Sequence, residues 1–268
     1  KGILFWRSFT HFIGGMGIIV FSLAMLPLLG FGGVQLFRAE VAGPTADKIT
    51  PRIKQTAKLL WGIYVGFVLL QCLIYYFLGM TLFDSLCHSF GTMATGGFST
   101  HSSSILYFPS IVQYTIIFFM ILAATSFSLH FLAIRKGRIE YFKDPEFKFY
   151  IILIILFTVV FFTDNFVTSS YQNLSLEEGF RHSLFTSISL LTTTGFTTLD
   201  YESWGFTSQT MIFILFFIGG CAGSTTGAIK IIRTILVFKF LGRELKKLPF
   251  WYLNVIKKSH FKNYKYSC

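Results

Sequence analysis

Four stretches without a single Asp, Glu, Lys or Arg, residues 8–37, 59–83, 85–134 and 203–229, constrain this chain more than any other feature. A helix crossing a bilayer needs about 20 predominantly apolar residues, and every one of these stretches exceeds that. A fifth, residues 149–163, is shorter and lies between Lys148 and Asp164; both flanking side chains can snorkel outwards, so it also reads as a span. Residues 182–199 would pass on length, but nine of those 18 positions are Ser or Thr, and this stretch is not expected to cross. The composition agrees with a lipid bilayer as the main partner: 53% of residues are hydrophobic and 13% charged, against about 25% charged in soluble domains. The expected class is an all-α polytopic membrane protein. A net charge of +11 does not indicate nucleic acid, because the basic residues sit between apolar runs rather than among aromatics on a wet face.

The basic residues give the orientation. Twenty of the 23 Lys and Arg fall in positions 30–58, 135–148 and 230–268, which the positive-inside rule places in the cytoplasm. Lys1, Arg7 and Arg181 are left for the outside, against Asp84, Asp164, Glu177, Glu178, Asp200 and Glu202. Their joint sign makes an acidic outer face that concentrates cations, although any one of them reads equally as a solvated loop end. The chain opens on Lys1, with no secretory leader pattern ahead of the first apolar run, and reads as part of a longer protein.

Between two cytoplasmic loops the chain must leave and return. From 59 to 134 it does so with one span at about 59–80 and another at about 110–134, and the residues between them read as a short helix, with Asp84 in its first turn, followed by a Thr/Gly turn. The same order recurs: span 149–163, short helix at about 175–192 with Glu177 and Glu178 near its start, Thr/Gly turn 193–198, span from about 207. Repeats of this kind govern the fold reading. Aligned, Ala94, Thr95, Gly96, Gly97, Phe98, Ser99 and Thr100 lie over Thr192, Thr193, Thr194, Gly195, Phe196, Thr197 and Thr198. Non-helical backbone at membrane depth is tolerated only when buried in protein or lining a watery cavity, so each unit reads as helix, re-entrant half-helix, glycine turn, helix, a potassium-channel-like architecture.

Such a turn, entered from outside, brings the partially negative end of a short helix towards the bilayer middle, where it stabilises cations. The Thr/Gly stretch can then aim successive carbonyls inwards to replace an ion's hydration shell, with glycine supplying backbone angles closed to residues bearing a Cβ. The glycines would equally serve tight turns. A third segment, Gly219, Gly220, Cys221, Ala222, Gly223, Ser224, Thr225, Thr226 and Gly227, should break an otherwise helical span at about 207–240. Broken helices at membrane depth commonly line a pathway, while small residues also allow close helix packing. Gly14, Gly15 and Gly17 in the first span read as packing. A phosphate loop is excluded at 219–227, since the GxxxxGK[ST] spacing fails.

Enzyme chemistry has no anchor. There is no HExxH, GxSxG or intramembrane carboxylate pair, the four cysteines form no CxxC or cluster with histidine, and none of His11, His88, His101, His130 and His182 is paired with an acid deep in a span. A capping or interfacial role is expected for these histidines.

The motifs Trp6-Arg7-Ser8, Gly14 through Val20, Gln35-Leu36-Phe37-Arg38-Ala39-Glu40, Ala94 through His101, Asp144-Pro145-Glu146-Phe147, Thr193 through Thr198 and Gly219 through Thr225 together resemble the Trk/Ktr/HKT potassium transporter superfamily, nearest its bacterial TrkH/TrkG branch. The resemblance runs over nearly the whole chain in the right order. It implies four helix–pore-loop–helix repeats around one pore: 1–37 as the last helix of the first, 38–58 a cytoplasmic loop, 59–135 the second repeat, 136–148 a cytoplasmic loop, 149–240 the third with a broken last helix, and 241–268 a basic segment leading to a fourth. Two quarters of a pore cannot conduct, so function belongs to the complete protein. Carried over, the selectivity filter falls on Thr95, Gly96, Gly97, Phe98, Thr193, Thr194, Gly195 and Phe196, with K⁺ on their backbone carbonyls, and the gating loop on Gly219 through Gly227. It also implies K⁺ uptake across the bacterial inner membrane by a homodimer, under a cytosolic nucleotide-binding regulatory subunit of TrkA/KtrA-like RCK type. No cofactor of this chain is implied beyond K⁺ as the transported ion. Thr226 stands where many relatives carry glycine, and Gly96 at a position often varied. The rivals are Na⁺ or mixed K⁺/Na⁺ transport through the same pore, and a non-conducting sensor or assembly subunit.

Overall fold

The computed structural model describes residues 1–17, 53–168, 171 and 174–247. Most of the expected first span, the first cytoplasmic loop up to residue 52 and the basic segment from 248 lie outside the described residues. Two compact units divide the chain, 1–231 and 232–268; the first holds all that follows except the body of the last helix.

Helix α1 (Gly2–Phe12) runs into a kinked turn at Ile13–Gly17. There Gly15 permits a close approach, for a Cβ on it would lie 2.9 Å from the Tyr64 hydroxyl and 3.0 Å from Ala94. The long helix α2 (Ile53–Phe77) is followed by the short α3 (Leu82–Met93). Thr81 caps α3 by accepting from the Asp84 N–H, and the Asp84 carboxylate accepts from the Thr81 hydroxyl at 2.7 Å and the Thr100 hydroxyl at 2.6 Å. After the turn come α4 (Ser110–Ala123), α5 (Phe127–Lys136) and α6 (Ile139–Lys143). The second long helix, α7 (Pro145–Val167), starts on an Asp144 cap with Pro145 in its first turn, where a missing N–H is harmless. The short α8 (Leu176–Leu191) opens with a reciprocal capping box between Ser175 and Glu178. Then follow α9 (Phe206–Leu215) and, beyond a loop, α10 (Ile231–Lys247), rich in Lys and Arg.

The packing inverts the habit of soluble domains. The short helices, full of Ser, Thr, Gly and His, are inside: α3 packs on α1, α2 and α4, and α8 on α4, α7 and α9. Ser85, His88, Ser89 and Thr92 of α3 and Ser183, Thr186, Ser187 and Ser189 of α8 are buried. In α3 Ser89 donates to the Ser85 carbonyl at 2.6 Å and Thr92 to His88 at 2.7 Å, whereas in α8 the partners lie outside the helix, Ser183 bonding the Tyr171 hydroxyl at 3.0 Å, Ser187 donating to the Ile154 carbonyl at 3.3 Å and Ser189 to the Phe196 carbonyl at 2.6 Å. An apolar cluster of Tyr64, Val68, Met93, Phe119 and Phe127 locks α2, α3 and the α4–α5 pair together. The long helices present leucines and isoleucines outwards, with Leu69 62% and Ile155 58% exposed. A surface this apolar is stable against lipid, and 58–77 and 145–167 are long and apolar enough to cross a membrane.

Two expectations need correction. Residues 110–134 do not form one straight span: α4 and α5 meet at a 95° bend. Thr125 turns its hydroxyl back onto the Ile121 carbonyl at 2.8 Å, a bond that bends helices, and Ser126 takes non-helical angles, φ −56° and ψ 126°. Asp164, expected only as an outward flank, is half-buried and also holds another helix. It lies within α7, which is 23 residues long, and its carboxylate accepts from the backbone N–H of Ser208 at 2.9 Å and its hydroxyl at 2.6 Å, closing the first turn of α9.

Candidate functional site

The two glycine turns superpose residue for residue at an offset of 98. After α3, the N–H of Thr95 returns to Thr92 at 3.0 Å and that of Gly96 to Gly91 at 2.7 Å; after α8, Thr193 returns to Leu190 at 2.9 Å and Thr194 to Ser189 at 2.9 Å. Both turns enter the left-handed region twice, at Thr95 (φ 53°) and Gly97 (φ 67°), then at Thr193 (φ 53°) and Gly195 (φ 82°). With the N–H groups folded back onto the ends of the short helices, the carbonyls are left over. Among the described residues nothing donates a hydrogen bond to the carbonyls of Thr95, Gly96, Gly97, Thr193, Thr194 or Gly195. Thr95 and Thr194 are buried, Gly96, Gly97 and Thr193 half-buried and Gly195 exposed, so the six carbonyls of the two matching turns make an accessible oxygen-lined surface fit for a dehydrated cation.

The two turns abut. A Cβ on Gly97 would lie 1.7 Å from the Thr194 carbonyl oxygen, whereas one on Gly195 would meet open space. Gly97 is thus required by its neighbour and its φ, Gly195 by its φ alone. The phenylalanines that follow part ways: Phe98 is half-exposed and Phe196 buried, its carbonyl accepting from the Ser189 hydroxyl at 2.6 Å.

Around the turns stand braces that sequence reading did not find. Arg7 of α1 donates to the Ser99 carbonyl at 2.6 Å and lies 4.8 Å from the Phe98 ring centre. One turn on, His11 stacks on Phe98 at 5.3 Å and closes over Gly96. His88, expected at an interface, is fully buried, with its ring nitrogens 2.8 Å from the Asp84 carbonyl and 2.9 Å from the Ser99 hydroxyl. His182 pairs with the Thr198 hydroxyl at 2.9 Å. The sequence signal for Arg7 and His11 was their i, i+4 spacing on one face of α1, but nothing in it named the partner. Behind the turns, Arg181 of α8 reaches Gln113 of α4 and pairs with Glu177 at 3.0 Å.

The loop at 219–227 touches both turns. Thr95 donates its hydroxyl to the Thr225 carbonyl at 3.0 Å, and the equivalent Thr193 accepts the Gly227 N–H at 2.7 Å. Its mouth is pinched by bonds from Gly219 to Ile229 at 2.9 Å and from Ile231 to Gly220 at 3.1 Å; Gly219 permits this, since a Cβ there would stand 2.1 Å from the Gly227 oxygen. Thr226 has a use of its own. Its hydroxyl accepts from the Gly220 N–H at 3.0 Å and from Lys230 at 2.9 Å, and bonds Ser224 at 2.8 Å. On its far side the loop fits the break between α4 and α5. The N–H of Cys221 donates to the Ala124 carbonyl at 2.9 Å, the Thr225 hydroxyl to Ala123 at 3.1 Å, and the Phe127 N–H to the Gly223 carbonyl at 3.1 Å. Glu146, in the first turn of α7, accepts the Ala222 N–H at 2.8 Å.

Comparisons with known proteins identify the family. Residues 1–262 match the family model TrkH, described as a cation transport protein. The chain is 44% identical over 253 residues to the Trk system potassium uptake protein TrkH of Vibrio parahaemolyticus, covering 92% of this chain and 52% of that protein. It is 40% identical over 254 residues to the Trk system potassium uptake protein TrkG of Escherichia coli, covering 92% and 51%. The crystal structure of the potassium transporter TrkH from Vibrio parahaemolyticus superposes with a TM-score of 0.76 at 39% identity, over 92% of this chain and 50% of that one. The chain therefore spans about half the length of the curated relatives it matches. With matching turns of unanswered carbonyls, a broken helix beneath them and a family match over nearly its whole length, this all-α membrane chain of helix–pore-loop–helix units belongs to the TrkH family of cation transport proteins.

Proposed function

We propose that the complete protein to which this chain belongs takes up K⁺ across the bacterial inner membrane, and that residues 59–135 and 149–240 are two of the repeats around its pore. The observation that carries this reading is the pair of matching turns whose six carbonyls accept no hydrogen bond among the described residues. Thr95, Gly96, Gly97, Phe98 and Thr193, Thr194, Gly195, Phe196 form two segments of the filter, where backbone oxygens replace the water shed by the ion. The C-terminal ends of α3 and α8, each partially negative, lead directly into these two turns. Gly219 through Gly227 are the gate, a reading supported by the bonds of this loop to Thr95 and Thr193 in both turns. The basic loops face the cytoplasm, where a nucleotide-binding regulatory subunit engages a homodimer of the complete protein. The names of the relatives as potassium uptake proteins of a Trk system support the K⁺ reading; the homodimer and the regulatory subunit rest on the family resemblance alone.

The test is Rb⁺ and Na⁺ uptake into potassium-transport-deficient cells carrying the full-length gene, with its cytosolic subunit supplied. Rb⁺ uptake with strong preference over Na⁺ is the expected result. Equal uptake of both ions would favour the Na⁺ or mixed reading, and no uptake of either would bring forward a sensor or assembly role.

A further inference from the structure

A helix broken inside a membrane protein strands carbonyls before the break and N–H groups after it, and there is little water to answer them. The break between α4 and α5 is answered by the loop instead. Ala124 and Ala123 accept from Cys221 and Thr225, and Phe127 donates to Gly223. The fit is close because residue 220 is glycine: a Cβ there would lie 2.7 Å from the Ala124 oxygen and 2.9 Å from its methyl carbon. Glu146 clasps the same loop from α7, by a bond from the Ala222 N–H to a carboxylate, the stronger class of hydrogen bond.

We propose that the α4–α5 break is the seat that holds the loop in its closed position, and that Glu146 and Thr225 are the positioning residues that keep it there. The inference rests on reading 219–227 as a gate and goes further, by naming what the gate closes against. The loop cannot leave gradually, because lifting it strands the Ala123 and Ala124 carbonyls and the Phe127 N–H together; seated and lifted are two discrete states whose populations can be shifted. Glu146 lies within the 136–148 segment, two residues after the Asp144 cap, so a movement of that segment reaches the Ala222 N–H through the Glu146 carboxylate itself. This gives the cytoplasmic side a short lever on the gate.

The test uses the full-length protein without its regulatory subunit and reads two quantities at matched membrane abundance. The first is the initial rate of Rb⁺ uptake. The second is the labelling rate of Cys221, fully buried in the seated loop, by a water-soluble thiosulfonate in a background where it is the sole cysteine. Losing one charge-assisted hydrogen bond shifts a two-state population by about tenfold or more. Glu146→Ala is therefore expected to raise both rates by about tenfold, and Thr225→Val, which removes one neutral bond, by about threefold. Glu146→Gln keeps an acceptor oxygen without the charge and should give rates between those of Glu146→Ala and the unmodified protein, about threefold raised, which loss of packing alone would not do. A merely damaged fold lowers uptake, so a gain is the diagnostic direction. The proposal is overturned if Glu146→Ala and Thr225→Val leave Cys221 labelling unchanged, or if uptake rises while Cys221 stays protected. If even the unmodified protein moves no Rb⁺ with its regulator supplied, the transport reading fails, while the labelling rates still decide whether the loop is seated on the break.

Discussion

Gly97 and Gly195 occupy equivalent places in two equivalent turns, yet the structure predicts unequal consequences when each is replaced by alanine. At Gly195 the cost is conformational. A φ of 82° lies beyond the left-handed window open to L residues, and holding alanine there costs about 1–2 kcal/mol, a five- to thirtyfold loss in the population of the native turn; space is not limiting, because the new Cβ meets nothing within 4 Å. At Gly97 the φ of 67° lies within that window, and the larger obstacle is a Cβ only 1.7 Å from the Thr194 oxygen. A non-bonded carbon and oxygen need about 3.3 Å even in their closest ordinary contacts, so one backbone must retreat by about 1.5 Å, a displacement large on the scale of an ion's coordination shell. Gly195→Ala is expected to yield a membrane-inserted protein with a reduced but measurable preference for Rb⁺ over Na⁺. Gly97→Ala should abolish that preference or all uptake. The assay is paired Rb⁺ and Na⁺ uptake by the full-length protein at matched abundance. If Gly97→Ala retains full preference, or the two variants are indistinguishable, the abutment of the turns is not a property of the assembled pore and the reasoning fails.

Arg7→Gln removes both the guanidinium donor to Ser99 and the charge beside Phe98; a severalfold loss of Rb⁺ over Na⁺ preference without loss of abundance is expected, with Arg7→Lys intermediate. Asp164→Ala strips the cap from α9 and should lower stability by about 1–2 kcal/mol, read as a lower melting temperature of the detergent-solubilised protein, with no change in ion preference. At the start of α8, hydrogen bonds from Tyr114 and Arg181 hold the Glu177 carboxyl below its ordinary value of 4.5, and the backbone N–H and hydroxyl of Ser175 do the same for Glu178. Because both values are lowered in the folded protein, the stabilisation is complete above the ordinary carboxylate value and disappears as pH falls through the lowered one. The melting temperature should accordingly drop below about pH 4, and Tyr114→Phe should diminish the Glu177 share of that drop; a melting temperature that rises on acidification would contradict the sign.

The outline was legible because its causes are local. Runs without charge define what can lie in lipid, and α7 and the 58–77 part of α2 fall where those runs are. Thr81 with Asp84, and Ser175 with Glu178, mark the starts of the two short helices by chemistry visible within four residues. The turns too are local, since the glycine before each phenylalanine adopts the positive φ that its type permits. Where the reading of residues 110–134 as one span went astray, the cause was distant. Nothing in Ala124, Thr125 and Ser126 compels a 95° bend, and the partners that make one tolerable, Cys221, Gly223 and Thr225, arrive from a hundred residues further along. Glu146 likewise reads locally as a first-turn acid, and only its 2.8 Å contact with Ala222 gives it a role at the loop.

By itself, then, the sequence determined which segments are stable in lipid and where the two glycine turns fall, because transfer free energy and glycine's missing Cβ belong to residues and their near neighbours. Tertiary structure alone decided that the two turns meet edge to edge, that Arg7 and His88 brace them, and that the loop completes the broken helix of the other repeat. Backbone hydrogen bonds between segments leave no trace in residue type, for every residue but proline carries the same N–H and C=O, and which of them pair is settled only when the segments are brought together.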